Sequence, residues 1–284
     1  MSEIVFIADF FLDDILGGGE LNNEELIKVL VDRGHSVKKI HSHLITEEFL
    51  KKNKNNSFII ANFVNLSKSC INFLTSKCSY VIYEHDHKYL PSRDPGVYEN
   101  FLAPKDTIIN YEFYKCAQAV LCQSSFHMGI VKKNLELDNI VSLGGNLWSL
   151  DSLNYMLEVS KKTKEDRCSI LSSTIEHKNT KDAISYCSHK NLNYQLVESS
   201  NYRDFLSQLG SNKTFVFFPK TPETLSRVVV ESRMMGMTTI TNNRIGATQE
   251  AWFNLKGPPL VEYMKNKREE ITNTVENILQ KEVS

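Results

Sequence analysis

No run of apolar residues in this 284-residue chain approaches the ~20 needed to cross a bilayer as a helix. The first apolar stretch, Ile4 to Ile7, lacks the charged-then-apolar order of a secretory signal and reads as a first strand. An excess of either charge is missing as well: 33 Lys and Arg stand against 34 Asp and Glu, a formal net charge of −1. A chain so balanced has no bulk attraction for nucleic acid, whose binding rests on neutralising phosphates. Its basic clusters, Lys51–Lys54, Lys161–Lys164 and Lys265–Arg268, read as solvated faces, which leaves membrane contact at most peripheral. None of the six cysteines (Cys70, Cys78, Cys116, Cys122, Cys168, Cys187) forms a C-x-x-C pair. Most sit in apolar stretches, so buried reduced thiols in a cytoplasmic protein are expected. Gly17-Gly18-Gly19 lacks the spacing of a dinucleotide fingerprint, which weakens a dehydrogenase reading, and no G-x-x-x-x-G-K-[ST] loop occurs. Repeats and low-complexity linkers are absent too.

What is present is alternation. Strand-like apolar runs at 4–8, 36–41, 57–61, 79–84, 118–122, 139–143, 168–172, 193–197, 214–218 and 238–241 are separated mostly by amphipathic stretches of helical length. This is the pattern of parallel α/β sheets. The length gives room for two such domains, and each would bind ligand at the carboxyl ends of its strands.

The most informative segment is Phe215 to Glu231. An apolar strand stops at Pro219, Thr221-Pro222 makes a turn, and a second apolar run, Leu225 to Val230, leads to Glu231. If that run is helical from Glu223, the eight residues to Glu231 advance ~12 Å and turn ~80°, placing both carboxylates along one side of the helix. Free amides between them would attract phosphate. A hydroxyl-rich group, then phosphates, then a ribose fits this spacing.

Glu223-x7-Glu231, followed by Gly236 and an apolar strand, resembles the E-x7-E signature of the retaining glycosyltransferases of GT-B fold, family 4 type. The N-terminal third resembles the same family. Its first strand, Ile4 to Ala8, leads to Gly17-Gly18-Gly19-Glu20, and Leu26, Ile27, Leu30 and Val31 follow at helical spacing before Gly34-His35. The glycines alone are also compatible with a flexible loop. The resemblance implies two doubly wound Rossmann-like domains facing a central cleft. A break at Ser142 to Asn146 matches the family's hinge, giving domains 1–145 (acceptor side) and 146–284 (donor side), with a C-terminal helix packing back towards the first.

The resemblance further implies transfer of a sugar from a nucleoside diphosphate, UDP favoured, to an acceptor hydroxyl that the sequence does not name. Glu223 would hold the sugar and Glu231 the ribose, while Gly17, Gly18, Gly19 and the amides of Thr224, Leu225, Ser226 and Arg227 would face the diphosphate. The family's Gly-Phe-Gly is Thr224-Leu225-Ser226 here, which loses the close approach glycine allows. Lys178 falls at a phosphate-binding Lys, but the family's neighbouring Arg is replaced by Ser173; Lys220 and Arg227 are candidate substitutes. An ordinary exposed first-turn lysine is the other reading of Lys178. Tyr83-Glu84-His85-Asp86-His87 ends a strand, and three readings stand: the family's His near sugar or acceptor at His85, a metal held by His85, His87 and a carboxylate, or a plain loop. No Asp-x-Asp motif occurs, so no obligatory metal and no cofactor are expected. A weakly active scaffold that binds a sugar nucleotide or glycan, and a sugar-nucleotide epimerase of the same fold, remain alternatives.

Overall fold

A computed structural model of the chain describes residues 3–280. It divides into two compact units, one of Met1–Leu147 with Glu269–Ser284, the other of Trp148–Arg268.

The first unit contains β1 (Ile4–Ala8), α1 (Gly18–Asp32), β2 (Val37–His41), α2 (Glu47–Lys52), β3 (Ser57–Ile60), α3 (Lys68–Lys77), β4 (Ser79–Tyr83), α4 (Tyr111–Lys115), β5 (Val120–Cys122), α5 (Ser125–Leu135) and β6 (Ile140–Ser142). The strands form one parallel sheet in the order β2-β1-β3-β4-β5-β6. β1 and β4 are almost wholly apolar because helices cover both faces of a parallel sheet. Alternate residues feed separate cores: Val5, Ile7, Phe58, Ile60 and Ile82 on one face, and Phe6, Ile59, Val81 and Leu121 on the other. The edge strand β2 instead exposes Lys38 and Lys39. Thr46, Ser67 and Ser124 cap α2, α3 and α5 by accepting from the amides of Phe49, Cys70 and His127. α1 closes on Gly34 at φ +90°, with the His35 amide returning to the Leu30 carbonyl. Leu26, Ile27 and Leu30 are buried along α1, whereas Val31 is exposed.

The second unit runs α6 (Leu150–Ser160), β7 (Glu165–Leu171), α7 (Thr180–His189), β8 (Tyr194–Val197), α8 (Tyr202–Leu209), β9 (Asn212–Phe217), α9 (Arg227–Met234) and β10 (Thr238–Thr241). Its parallel sheet is ordered β10-β9-β7-β8. Phe215 and Phe217 pack with Val229, Val230 and Met234 of α9 on one face, and Ile170 and Val216 with Ala183 and Cys187 on the other. α10 (Pro258–Leu279) supplies residues to both units. Within the first, Ile271 and Val275 join the core, and the Arg33 guanidinium meets Glu269, Asn273 and Glu276.

All ten expected strands are present. Two composition-based expectations need correction. The Lys265–Arg268 cluster is not a solvated face: Lys267 and Arg268 are buried, and Arg268 donates to the Trp148 carbonyl at 3.1 Å. Lys164 is half-buried and donates to the Gly210 carbonyl at 2.6 Å, its pKa pushed down by burial. Four cysteines are buried, Cys78 is half-buried, Cys116 is exposed, and all six are free thiols. Among the described residues no helix is long and apolar enough to cross a membrane.

Candidate functional site

Open α/β sheets bind ligands outside the carboxyl ends of the two strands at which strand order reverses. In the second unit those strands are β7 and β9. The loop after β7 carries Lys178 in a 3-10 turn, Glu176–Lys178, and the segment after β9 carries Glu223. Lys178 Nζ lies 2.8 Å from Glu223 Oε1, with both side chains partly accessible. Two residues 45 positions apart thus form one charge-assisted pair at the reversal point.

Glu223 is not on a helix. It forms an isolated parallel bridge with Ile245, its amide donating to the Arg244 carbonyl at 2.8 Å and its carbonyl accepting from Gly246 at 2.9 Å. α9 begins only at Arg227, so the two carboxylates do not share one helical face, contrary to the geometry drawn from the apolar run. The chain turns into the helix at Ser226, whose φ of +72° is the left-handed conformation glycine adopts most readily. This is the position of the second glycine in the family's Gly-Phe-Gly. The Ser226 hydroxyl is buried without a hydrogen-bond partner among the described residues. Leu225, between them, is fully buried in the core.

Glu231 lies in the second turn of α9, 2% exposed. Its Oε1 accepts from Trp148 Nε1 at 2.9 Å and Tyr202 Oη at 2.6 Å, and is 3.4 Å from Arg227 Nε. The Arg227 guanidinium also stacks on Trp148, 4.4 Å from its ring. Burial beside the Glu231 carboxylate pushes the Tyr202 phenol well up, so it stays a donor. Arg227 therefore spends its charge on Glu231. Lys220 Nζ pairs with Glu176 at 2.9 Å on the surface. At the position of the missing Arg, the Ser173 hydroxyl accepts from the Ile175 amide at 3.2 Å. Trp148, Tyr202 and Arg244 were not anticipated from the sequence. The motif gives no hint of the first two, which come from other elements, and Arg244 meets Glu223 through its backbone carbonyl, which accepts from the Glu223 amide.

In the first unit, His85 follows β4 and packs against α1. A β-carbon at Gly19 would sit 3.7 Å from the His85 ring, an ordinary contact distance, so the two residues are neighbours without the approach requiring glycine. Neither Gly17, Gly18 nor Gly19 uses a positive φ; Gly17 is the N-cap residue and α1 starts at Gly18. His85 Nε2 is 2.6 Å from Asn23 Oδ1, and Nδ1 is met by the Gln123 amide. With those amides as oriented, Nε2 carries the proton and donates to Asn23. His87 does not join His85: it is buried, with Nδ1 3.1 Å from Tyr89 Oη. Burial pushes its pKa down to about 4 and that of His127, 5.0 Å away ring to ring, well below the usual range. Beneath the loop, fully buried Glu84 accepts from Lys88 Nζ at 2.9 Å, from the Asp86 amide at 3.0 Å and from Tyr114. Burial raises the Glu84 pKa, while Lys88, bonded also to Asp86 at 2.5 Å, holds that of Asp86 down. Among the described residues, no group of three or more His, Cys, Asp or Glu is placed to hold a metal ion.

No protein-family model and no curated protein matches the sequence. Solved structures do match in three dimensions, and they define the fold as GT-B. An α-glucosyltransferase in complex with UDP and a 13-mer DNA containing a HMU base aligns with a TM-score of 0.53 at 12% identity, over 98% of this chain and 99% of that one. HepE of Anabaena, in complex with UDP and glucose, gives 0.53 at 12% identity, over 98% and 95%. The catalytic domain of starch synthase IV from Arabidopsis thaliana, bound to ADP and acarbose, gives 0.59 at 9% identity, over 100% and 96%.

Proposed function

We propose that the protein transfers a sugar from a nucleoside diphosphate to an acceptor hydroxyl with retention of anomeric configuration, UDP-sugar being the favoured donor. The observation that carries this reading is the Lys178–Glu223 pair, 2.8 Å apart at the carboxyl ends of β7 and β9 beside the start of α9. The similar GT-B structures, solved with UDP, or with ADP and acarbose, support a nucleotide-sugar donor.

In this reading the diphosphate meets Lys178 and the start of α9, where the Ser226 hydroxyl awaits an acceptor. Glu223 exchanges Lys178 for the hydroxyls of the donor sugar. Glu231 Oε1 is already taken by Trp148 and Tyr202, so a ribose hydroxyl is met by Oε2. The bond from the anomeric carbon to the diphosphate oxygen breaks as the acceptor oxygen enters on the same face, and negative charge grows on the leaving phosphate next to Lys178. The glycine turn would face the diphosphate. His85, its nitrogens engaged by Asn23 and Gln123, positions sugar or acceptor and is not a free base. No side chain acts as a covalent nucleophile, and no metal is required.

The test is transfer of radiolabelled sugar with Glu223→Gln. Loss of transfer with nucleoside diphosphate binding retained supports the assignment; an unchanged transfer rate refutes it. A second reading, a scaffold that binds a sugar nucleotide without efficient transfer, is favoured by one observation: Arg227 and Lys220, the candidate replacements for the missing Arg, are ion-paired elsewhere. Tight nucleotide binding by the wild type with no turnover would select it.

A further inference from the structure

A cavity of ≈780 Å³ opens in the first unit, lined by the segments after β3 and β4, by α3 and by the start of α4. Its size is that of a site for a substantial ligand, and its walls are more apolar than polar. Phe63, Leu66, Leu90 and Phe113 are buried around it, with Val64 and Ile109 exposed at its mouth. Two of its polar side chains are turned back on the protein, the Thr75 hydroxyl donating to the Ile71 carbonyl at 2.8 Å and the Asn110 amide to the Lys88 carbonyl at 3.0 Å, while Asn72, Tyr111 and Glu112 also line it. Lys88 is consumed by Glu84 and Asp86. A hydrocarbon chain lying against the apolar part of these walls would be removed from water. Two cations stand on the lining: Lys68, which forms no ion pair among the described residues, and Arg93, more than half exposed and 3.3 Å from Asp86.

A second observation points the same way. The adjacent strands β2, β1 and β3 each end in exposed large apolar side chains: Leu44 after β2, Phe10, Ile15 and Leu16 after β1, and Val64 after β3, between 43% and 60% exposed. Val64 belongs both to this row and to the cavity mouth. A group of exposed apolar residues at the carboxyl end of one sheet marks an interaction surface, and one continuous with a largely apolar cavity suits the face of a bilayer.

We propose that this cavity holds the acyl chain of an anionic phospholipid acceptor, with its phosphate near Lys68 and Arg93 and the exposed apolar residues at the strands' carboxyl ends resting on the lipid surface. This deepens the transfer reading above and rests on it. A hydroxyl of the lipid head group forms the new bond to the anomeric carbon, the bond from that carbon to the diphosphate breaks, and the hydroxyl proton leaves with the diphosphate.

The probe is lysophosphatidylglycerol with a fluorescent acyl chain, added to the full chain, followed by transfer from the donor sugar nucleotide into phosphatidylglycerol vesicles, with phosphatidylcholine vesicles as the control lacking a head-group hydroxyl. We expect saturable uptake by the wild type and label extracted with phosphatidylglycerol alone. Ile71→Trp, which fills the cavity, and Val64→Asp, at an exposed position that folding does not require, should each weaken uptake about tenfold, ~1.4 kcal/mol. Stabilisation by the nucleoside diphosphate should be unchanged in both variants, since neither residue belongs to the proposed donor site. Absent uptake, uptake indifferent to both substitutions, or label entering only water-soluble acceptors would overturn the proposal. Failure of any nucleotide to stabilise the wild type would instead remove the transfer reading, and the acceptor role with it, whatever the lipid probe does.

Discussion

Lys178 and Glu223 neutralise each other at 2.8 Å, so an arriving diphosphate must compete with Glu223 for the ammonium. The two substitutions therefore act in opposite directions. Lys178→Ala removes a charge-assisted hydrogen bond of ~1.5–3 kcal/mol, so nucleoside diphosphate affinity should fall roughly 10- to 100-fold by titration calorimetry. Glu223→Gln releases Lys178 from its ion pair, so diphosphate affinity should hold or rise while transfer falls by about 10²-fold through lost sugar positioning. Equal loss of affinity in both variants would show that Glu223 orders the site instead of holding sugar. Both residues were legible in the sequence because each sits at a strand's carboxyl end within a recognisable pattern. Trp148 and Tyr202, which hold Glu231, were not, because hydrogen bonds between elements 29 and 83 residues apart leave no local trace. The Glu84–Lys88–Tyr114 network was equally silent: it pairs the end of β4 with α4, two elements that only the folded sheet brings together.

At the scale of elements, the ten strands were readable because runs such as Ile4–Ala8 and Phe215–Phe218 are apolar on both faces and stop at turn residues. The start of α9 was misjudged for the same reason. The apolar run from Leu225 invites a helix, yet Glu223 is paired with Ile245 and Leu225 is pinned in the core, so the helix can begin only after a left-handed turn at Ser226. That turn makes a prediction. Ser226→Gly relieves the left-handed strain and removes a buried hydroxyl that has no partner, so stability should rise by ~1 kcal/mol. In a melting experiment that is a gain of roughly 2–4 °C. A lower melting temperature would mean that the hydroxyl is bonded to an ordered water that the glycine variant loses. The N-terminus of α1 differs: Gly17 is extended, Gly18 opens the helix, and none of the three glycines uses a positive φ.

For the whole molecule, burial of titratable groups couples folding to pH. His87 and His127 are neutral in the fold with lowered pKa values, so each takes up a proton on unfolding below its ordinary value of 6.5. Buried Glu84 is raised above 4.5 and acts in the opposite sense. Burial also raises the Glu20 carboxyl, in the same sense as Glu84; between pH 6.5 and about 4.5 the two histidines work the other way, lowering stability as acid is added. The melting temperature should be lower at pH 5 than at pH 7, and His87→Phe should narrow the gap; a gap that the substitution leaves untouched would contradict the assignment. The GT-B fold itself constrains chemistry only loosely, since function lives in the site. The most direct test of the central claim is a thermal-shift titration with UDP, GDP, ADP and NAD on the wild type and on Lys178→Ala. A nucleoside diphosphate at about a hundred times its dissociation constant should add ~2.7 kcal/mol to the wild type. We expect one diphosphate, UDP first, to stabilise the protein and to lose most of that effect in Lys178→Ala; stabilisation by none of them, or equal stabilisation of the variant, would contradict a nucleotide-sugar site at Lys178 and Glu223.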